Sequence, residues 1–214
     1  MKRSALLNYI KGICKLFYMK KIIYLHGFGS SGASGTVETL RKLLPDINII
    51  APDIPIDPFE ALPFLKDLCE QEQPDIVIGT SMGGMYAHQM RGFKRICVNP
   101  ALNMSMQSKI LKTGTYKFFN RRKDNTKEFR ITKEIIQHHN AIERQQFKNI
   151  ASDDKNLCYG LFGIHDDVVN TYDLFKKYYP NVKRFDGEHR LNDKVIKKTL
   201  IPLISQLLIN DSIN

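Results

Sequence analysis

Two kinds of apolar pattern alternate along the chain. Short runs rich in β-branched residues read as strands: KIIYL at 21–25, a run at 48–52, DIVIG at 75–79, KRICVN at 94–99, NLCYGLF at 156–162 and NVKRF at 181–185. Between them stand segments whose apolar residues recur at helical spacing. The first is TVETLRKLL; the next, FEALPFLKDLCEQ, follows Asp57 and Pro58, and a proline suits a first helical turn. Continuous apolar strands interleaved with helices predict a mostly parallel sheet flanked by helices, an α/β fold. The closing run VIKKTLIPLISQLL predicts a last amphipathic helix, kinked at Pro202.

The rhythm stops between about 101 and 152, which reads as a mostly helical, cap-like insertion above the sheet. Within it YKFFNRRKDNTKEF has no clean period. TKEIIQHHNAIERQQF, in contrast, brings Ile135, His139, Ile142 and Gln146 onto one helical face, with Thr132 as N-cap. The 214 residues suit one domain over 19–214 preceded by an extension over 1–18. Lys11 and Lys15 interrupt the apolar residues of that extension, and no small-residue cleavage site follows. It reads as a disordered tail, or as sequence upstream of a start at Met19, before an amphipathic membrane-surface helix.

Composition narrows the class. With 43% hydrophobic and 25% charged residues the chain is globular, and no run matches an uncharged membrane span, so no stable membrane insertion is expected. The net charge of +10 is uneven. Basic against acidic residues number six to none over 1–21, six to nine over 22–108, eleven to four over 109–148 and nine to nine over 149–214. A nucleic-acid binder would spread its basic stripe over the core elements with aromatics for stacking, so no nucleic-acid partner is expected. Cys14, Cys69, Cys97 and Cys158 are far apart without metal-ligand spacing. They read as reduced thiols of a cytoplasmic protein with no metal site.

The chemistry concentrates in VIGTSMGGMYAH, where Gly79, Ser81 and Gly83 satisfy GxSxG. Chance would produce that pattern about 0.04 times in a chain of this composition. A strand-like run before it and a helix-like run after it supply the context of a nucleophile elbow. There the serine sits on a strained turn, and Gly79, Gly83 and Gly84 leave it room. The helix start aims the N–H of Met82 at the serine's surroundings, where an oxyanion would develop. HGFG at 26–29 is placed to supply a second donor, the N–H of Phe28 next to Gly27, with His26 as a brace.

A serine hydroxyl needs a base, and the base needs an acid to orient it. Asp166 follows the fifth predicted strand and His189 the sixth, so both loops leave the same sheet edge as Ser81. Asp167 and Asp186 are rivals for the acid, and His165 for the base. His88 reads as a packed or solvated helix residue, and Met82 and Met85 as packing and pocket lining. His138 and His139 point about 100° apart on a helix and do not share an ion. Arg121, Arg122 and Lys123 read as a solvated face, and only secondarily as steering for an anionic substrate.

HGF, GTSMGG, GxxDxVV and GEH together resemble the α/β-hydrolase superfamily, most similar to the small YqiA/YcfP-type esterases, over about residues 19–210. The resemblance implies hydrolysis of a small-molecule carboxylic ester or acyl thioester by Ser81, Asp166 and His189, without a cofactor. The alternative is a hydrolase-derived binding or scaffold protein whose basic insertion engages an acidic partner or membrane surface. Leaving group, acyl length and oligomeric state are not encoded in these motifs.

Overall fold

Strand β1 (Lys21–Leu25) is apolar at every position after its first and buries Ile22, Ile23, Tyr24 and Leu25. A strand without a polar face has to be covered on both sides, and this requirement organises the computed structural model, which describes residues 19–104 and 111–209. The reading of residues 1–18 as a tail, with Cys14, lies outside the described residues.

After β1 come α1 (Gly35–Leu43), β2 (Asn48–Ile50), α2 (Pro58–Glu72), β3 (Ile76–Thr80), α3 (Met82–Ala87) and β4 (Arg95–Val98). An antiparallel ribbon, β5 (Gly114–Lys117) and β6 (Glu128–Ile131), precedes α4 (Lys133–Gln145) and α5 (Ser152–Lys155). The chain then returns to the sheet through β7 (Cys158–Gly163), α6 (Tyr172–Tyr178) and β8 (Asn181–Phe185). It closes with α7 (Asp193–Val195), a π-helical turn over Ile196–Leu200 and α8 (Ile201–Ile209). The six-stranded sheet has the order β2-β1-β3-β4-β7-β8, and every pairing is parallel.

Alternate residues of the strands feed two cores. Ile23, Leu25, Val77 and Cys97 face α2, α3, α4 and α6; Ile22, Tyr24, Ile78 and Val98 face α1 and the C-terminal helices. Local chemistry sets the helix ends. The Asp57 carboxylate accepts the N–H of Phe59 with Pro58 in the first turn, and the Thr132 hydroxyl accepts the N–H of Ile135, as a capping residue should. The expected face of α4 is buried at His139, Ile142 and Gln146. The kink expected at Pro202 takes the form of the π turn before it, where the Ile201 N–H reaches five residues back to the Ile196 carbonyl. Proline cannot continue the regular ladder, and the widened turn absorbs the defect.

The insertion departs from expectation. It is not mostly helical: Tyr116 and Phe118 on one strand side and Phe129 and Ile131 on the other form the apolar face of a ribbon, which packs on the main core. Arg122 is also no solvated residue. It is buried, with Nη1 donating to the Ile54 carbonyl and the guanidinium 4.6 Å from the centre of the Phe118 ring. Arg95, in the middle of the sheet, is fully buried and paired to Asp154, which fastens α5 under β4.

Three histidines are buried. His88 is held between the Tyr179 hydroxyl (3.1 Å) and Gln146 Oε1 (2.9 Å), and His139 has no hydrogen-bond partner among the described residues. Burial pushes His88 down to about 3 and His139 and His26 down to about 4. Each therefore binds its proton more weakly folded than unfolded, and the unfolded chain takes up more protons below about 6.5. Stability should fall as the pH drops from about 6.5 towards 4. His139→Leu, which removes an unpartnered imidazole, should flatten that slope and raise Tm at pH 5 by about 3 °C. Thermal unfolding from pH 4.5 to 7.5 checks both; an unchanged slope in the variant would refute the assignment.

Candidate active site

The carboxyl ends of β1, β3, β7 and β8 open on one edge of the sheet, and the loops after them carry Phe28, Ser81, Asp166 and His189 in turn. Ser81 follows β3 with φ 54° and ψ −119°, a left-handed conformation that a serine occupies only when its surroundings enforce it. Its N–H donates to the Val98 carbonyl (3.0 Å), and its own carbonyl accepts from the N–H groups of Gly84, Met85 and Ala101. The turn is tight enough that a Cβ on Gly79 would meet the Gly83 carbonyl, and one on Gly83 would meet the Leu25 carbonyl. Gly84 lies against Pro100, and Gly27 against the Ser81 side chain.

His189 Nε2 lies 3.0 Å from Ser81 Oγ, and its Nδ1 lies 2.8 Å from Asp166 Oδ2. An ionised carboxylate only accepts, so the proton sits on Nδ1 and leaves Nε2 free to accept from the serine hydroxyl. The other carboxylate oxygen, Oδ1, accepts from the N–H groups of Val168 and Val169, both at 2.9 Å. Burial alone would raise the pKa of Asp166. The hydrogen bond from His189 and the two N–H groups outweigh it and hold the carboxyl below its ordinary value. The rivals stand apart: His165 pairs with Asp186 at the surface (3.1 Å), and Asp167 is exposed.

Met82 opens α3, and Phe28 sits in the loop after β1; among the described residues no acceptor bonds either N–H. The Phe28 ring meets Tyr116 and Phe129 edge-on at 5.7 and 5.3 Å. His26 braces this loop, as expected of it. Its Nε2 accepts the Ile54 N–H, so Nδ1 carries the proton and donates to the Gly27 carbonyl. Nothing in the sequence pointed to Asp53, whose carboxylate accepts the N–H of Gly32 on one oxygen and of Lys123 on the other. It ties the tip of the ribbon to the loop after β1, helped by the Phe119 N–H to the Gly29 carbonyl (2.7 Å) and the Ser31 hydroxyl to the Arg121 carbonyl (2.8 Å).

A cleft of about 760 Å³ runs over Ser81 and His189. Phe28, Phe119 and Val168 give its lining an apolar part, and the hydrogen-bonded hydroxyls of Tyr24 and Thr80 line it as well. Arg121, Arg122 and Lys123 do not line it. His138 pairs with Asp57 at 2.8 Å, and His139 is sealed in the core, so the two do not converge.

A parallel sheet in this order, with a serine on a strained strand-to-helix turn, defines an α/β-hydrolase. Within that superfamily the chain belongs to the uncharacterised protein family UPF0227, whose family model matches residues 21–205. Among solved structures it is similar to Est1E from Butyrivibrio proteoclasticus, with a TM-score of 0.63, 14% identity, and 89% of this chain and 88% of that one covered. Paleococcus ferrophilus monoacylglycerol lipase gives 0.60, 16%, and 87% and 93%. The mouse alpha/beta hydrolase domain-containing protein 10 gives 0.61, 14%, and 92% of each chain. At such identities the likeness is one of fold.

The close approach at the elbow has a direct consequence. Gly83→Ala should destabilise the protein by about 3 kcal/mol, because the added carbon meets backbone that cannot swing away. Thermal unfolding tests this; a Tm within a degree of wild type would mean the turn is looser than described.

Proposed function

We propose that the chain is a serine hydrolase of carboxylic esters or acyl thioesters, acting through Ser81, His189 and Asp166. The observation that carries the reading is the unbroken chain of hydrogen bonds from Ser81 Oγ through both nitrogens of His189 to Asp166. Ser81 Oγ attacks the substrate carbonyl as His189 Nε2 takes its proton, and Asp166 stabilises the imidazolium so formed. The N–H groups of Phe28 and Met82 receive the oxyanion. Collapse of the tetrahedral intermediate expels the alcohol or thiol, which takes its proton from His189 and leaves an acyl-enzyme. Water, activated by the same imidazole, then releases the acid and restores Ser81. The reaction needs no cofactor.

Two features support a small ester substrate. The cleft combines apolar side chains with hydroxyl groups in its lining, and the fold is shared with a monoacylglycerol lipase and with an Est1E structure that holds ferulic acid. Steering of anionic substrates by the insertion finds little support, because Arg122 is buried and its basic neighbours stand off the cleft. The thiols of Cys69, Cys97 and Cys158 are free, in keeping with a reducing, cytoplasmic setting. Among the described residues no helix is long and apolar enough to cross a membrane.

Ser81→Ala should lower kcat on a p-nitrophenyl ester at least about 10³-fold while leaving Tm within a few degrees. A fluorophosphonate probe should label the wild-type chain at Ser81 and leave the variant unlabelled. Turnover unchanged in Ser81→Ala, or a label on another residue, would end the proposal.

A further inference from the structure

Asn99 stands one residue past the end of β4, 1% exposed and with φ 44°. Its side chain spends three hydrogen bonds, both donors among them, on two loops. Nδ2 donates to the carbonyls of Glu188 and His189, both at 3.0 Å, and Oδ1 accepts the N–H of Gly163 at 2.8 Å. The first two bonds grip the loop that carries the imidazole. The third grips the end of β7, three residues before Asp166.

The backbone around Asn99 reaches the remaining member. Val98 accepts the Ser81 N–H, Ala101 donates to the Ser81 carbonyl, and Pro100 accepts the Thr171 hydroxyl at 2.6 Å, which fixes the far end of the acid loop. The residues 98–101 thus touch all three loops, and only the Asn99 side chain among them reaches the histidine loop. Besides the His189–Asp166 bond, the histidine loop meets the acid loop through the His165 N–H to the Gly187 carbonyl, the His165–Asp186 side-chain pair and the close backbone approach at Gly163. Those contacts join the two loops to each other, not to the serine.

We infer that Asn99 is a positioning residue of the proposed hydrolase: it sets the separation of His189 from Ser81 by holding the histidine and acid loops to the strand that also anchors the elbow. The inference rests on the serine-hydrolase reading for its kinetic consequence and on geometry alone for its structural one. Asparagine suits the place twice over. It tolerates the left-handed backbone, and its amide is a short group that donates two bonds and accepts a third. The sequence reading placed Asn99 at the end of the strand KRICVN, and the destinations of its amide were not readable there.

Asn99→Gly keeps the backbone conformation and deletes the three side-chain bonds. Asn99→Asp keeps the shape and turns both donors into an oxygen facing two carbonyls. A misplacement on the order of 1 Å costs about 10²-fold in rate, so in each variant kcat on a p-nitrophenyl ester should fall about 10²-fold, with KM within threefold. The rate of fluorophosphonate labelling at Ser81 should fall in parallel, and Asn99→Ser, which restores one donor, should lie between. A crystal structure of Asn99→Gly should show His189 Nε2 beyond 3.5 Å of Ser81 Oγ. Triad distances unchanged in that structure overturn the inference even if the chain hydrolyses no ester. So does a loss confined to KM, or a kcat within threefold of wild type. If the glycine variant does not fold, the aspartate variant decides by the same readings. Failure of the wild-type chain to label at Ser81 would count against the hydrolase reading instead, and leave the distance test standing.

Discussion

Everything at this site depends on one strained residue being held in place. The left-handed backbone at Ser81 costs on the order of 1–3 kcal/mol, and nothing local to a serine returns it. The return comes from the sheet: the Ser81 N–H and carbonyl are both bonded to the chain around β4, and two α3 N–H groups converge on the same carbonyl. Parallel pairing makes this possible, because it brings the carboxyl ends of β1, β3, β4 and β7 to one edge, where each loop can brace its neighbour. The glycines are the corollary. At Gly79 and Gly83 the backbones pass so closely that any side chain would push the elbow open.

The insertion belongs to this arrangement. Its charge suggested a detachable basic surface, yet Leu111, Phe129, Ile131 and Ile142 are core residues, and its tip is stitched to the loop that presents the Phe28 N–H. Asp53 does the stitching with two backbone N–H groups, an arrangement that suits a carboxylate and needs no cation. A chain shortened there would lose its core before it lost a binding surface.

What the sequence made legible, and what it hid, divides along physical lines. The sheet strands were readable because burial on both faces forces an unbroken apolar run, as in IIYL and IVIG. The three loops of the site were readable because the strand ends fix where loops can go, and a GxSxG turn has few other uses. The ribbon was not. Its strands are four residues long, and the alternation of Tyr116 with Phe118 and of Phe129 with Ile131 emerges only once the two strands pair. Arg95, Asp53 and Arg122 were hidden for a different reason. Each is a charged residue whose partner lies far off in sequence, and a charged residue is ordinarily read as solvated until that partner is known.

The division of labour that results bears on how such a site can vary. Asp166 cannot turn, since one carboxylate oxygen is taken by two N–H groups of its own loop and the other by His189. Ser81 cannot turn either, for the reasons above. The Asp166 carboxylate is therefore fixed within its own loop and the Ser81 backbone by groups around β4, and substitutions in the insertion need not disturb either. The apolar part of the cleft lining is built differently. Phe119 is 69% exposed and is tied down through its backbone N–H, while its ring rests over Gly29. A side chain anchored by its main chain can be exchanged without loosening the anchor. Under the proposed reading, substrate preference can shift at the ribbon tip while Ser81, His189 and Asp166 stay where the strands put them, provided the Asp53 bridge survives the change.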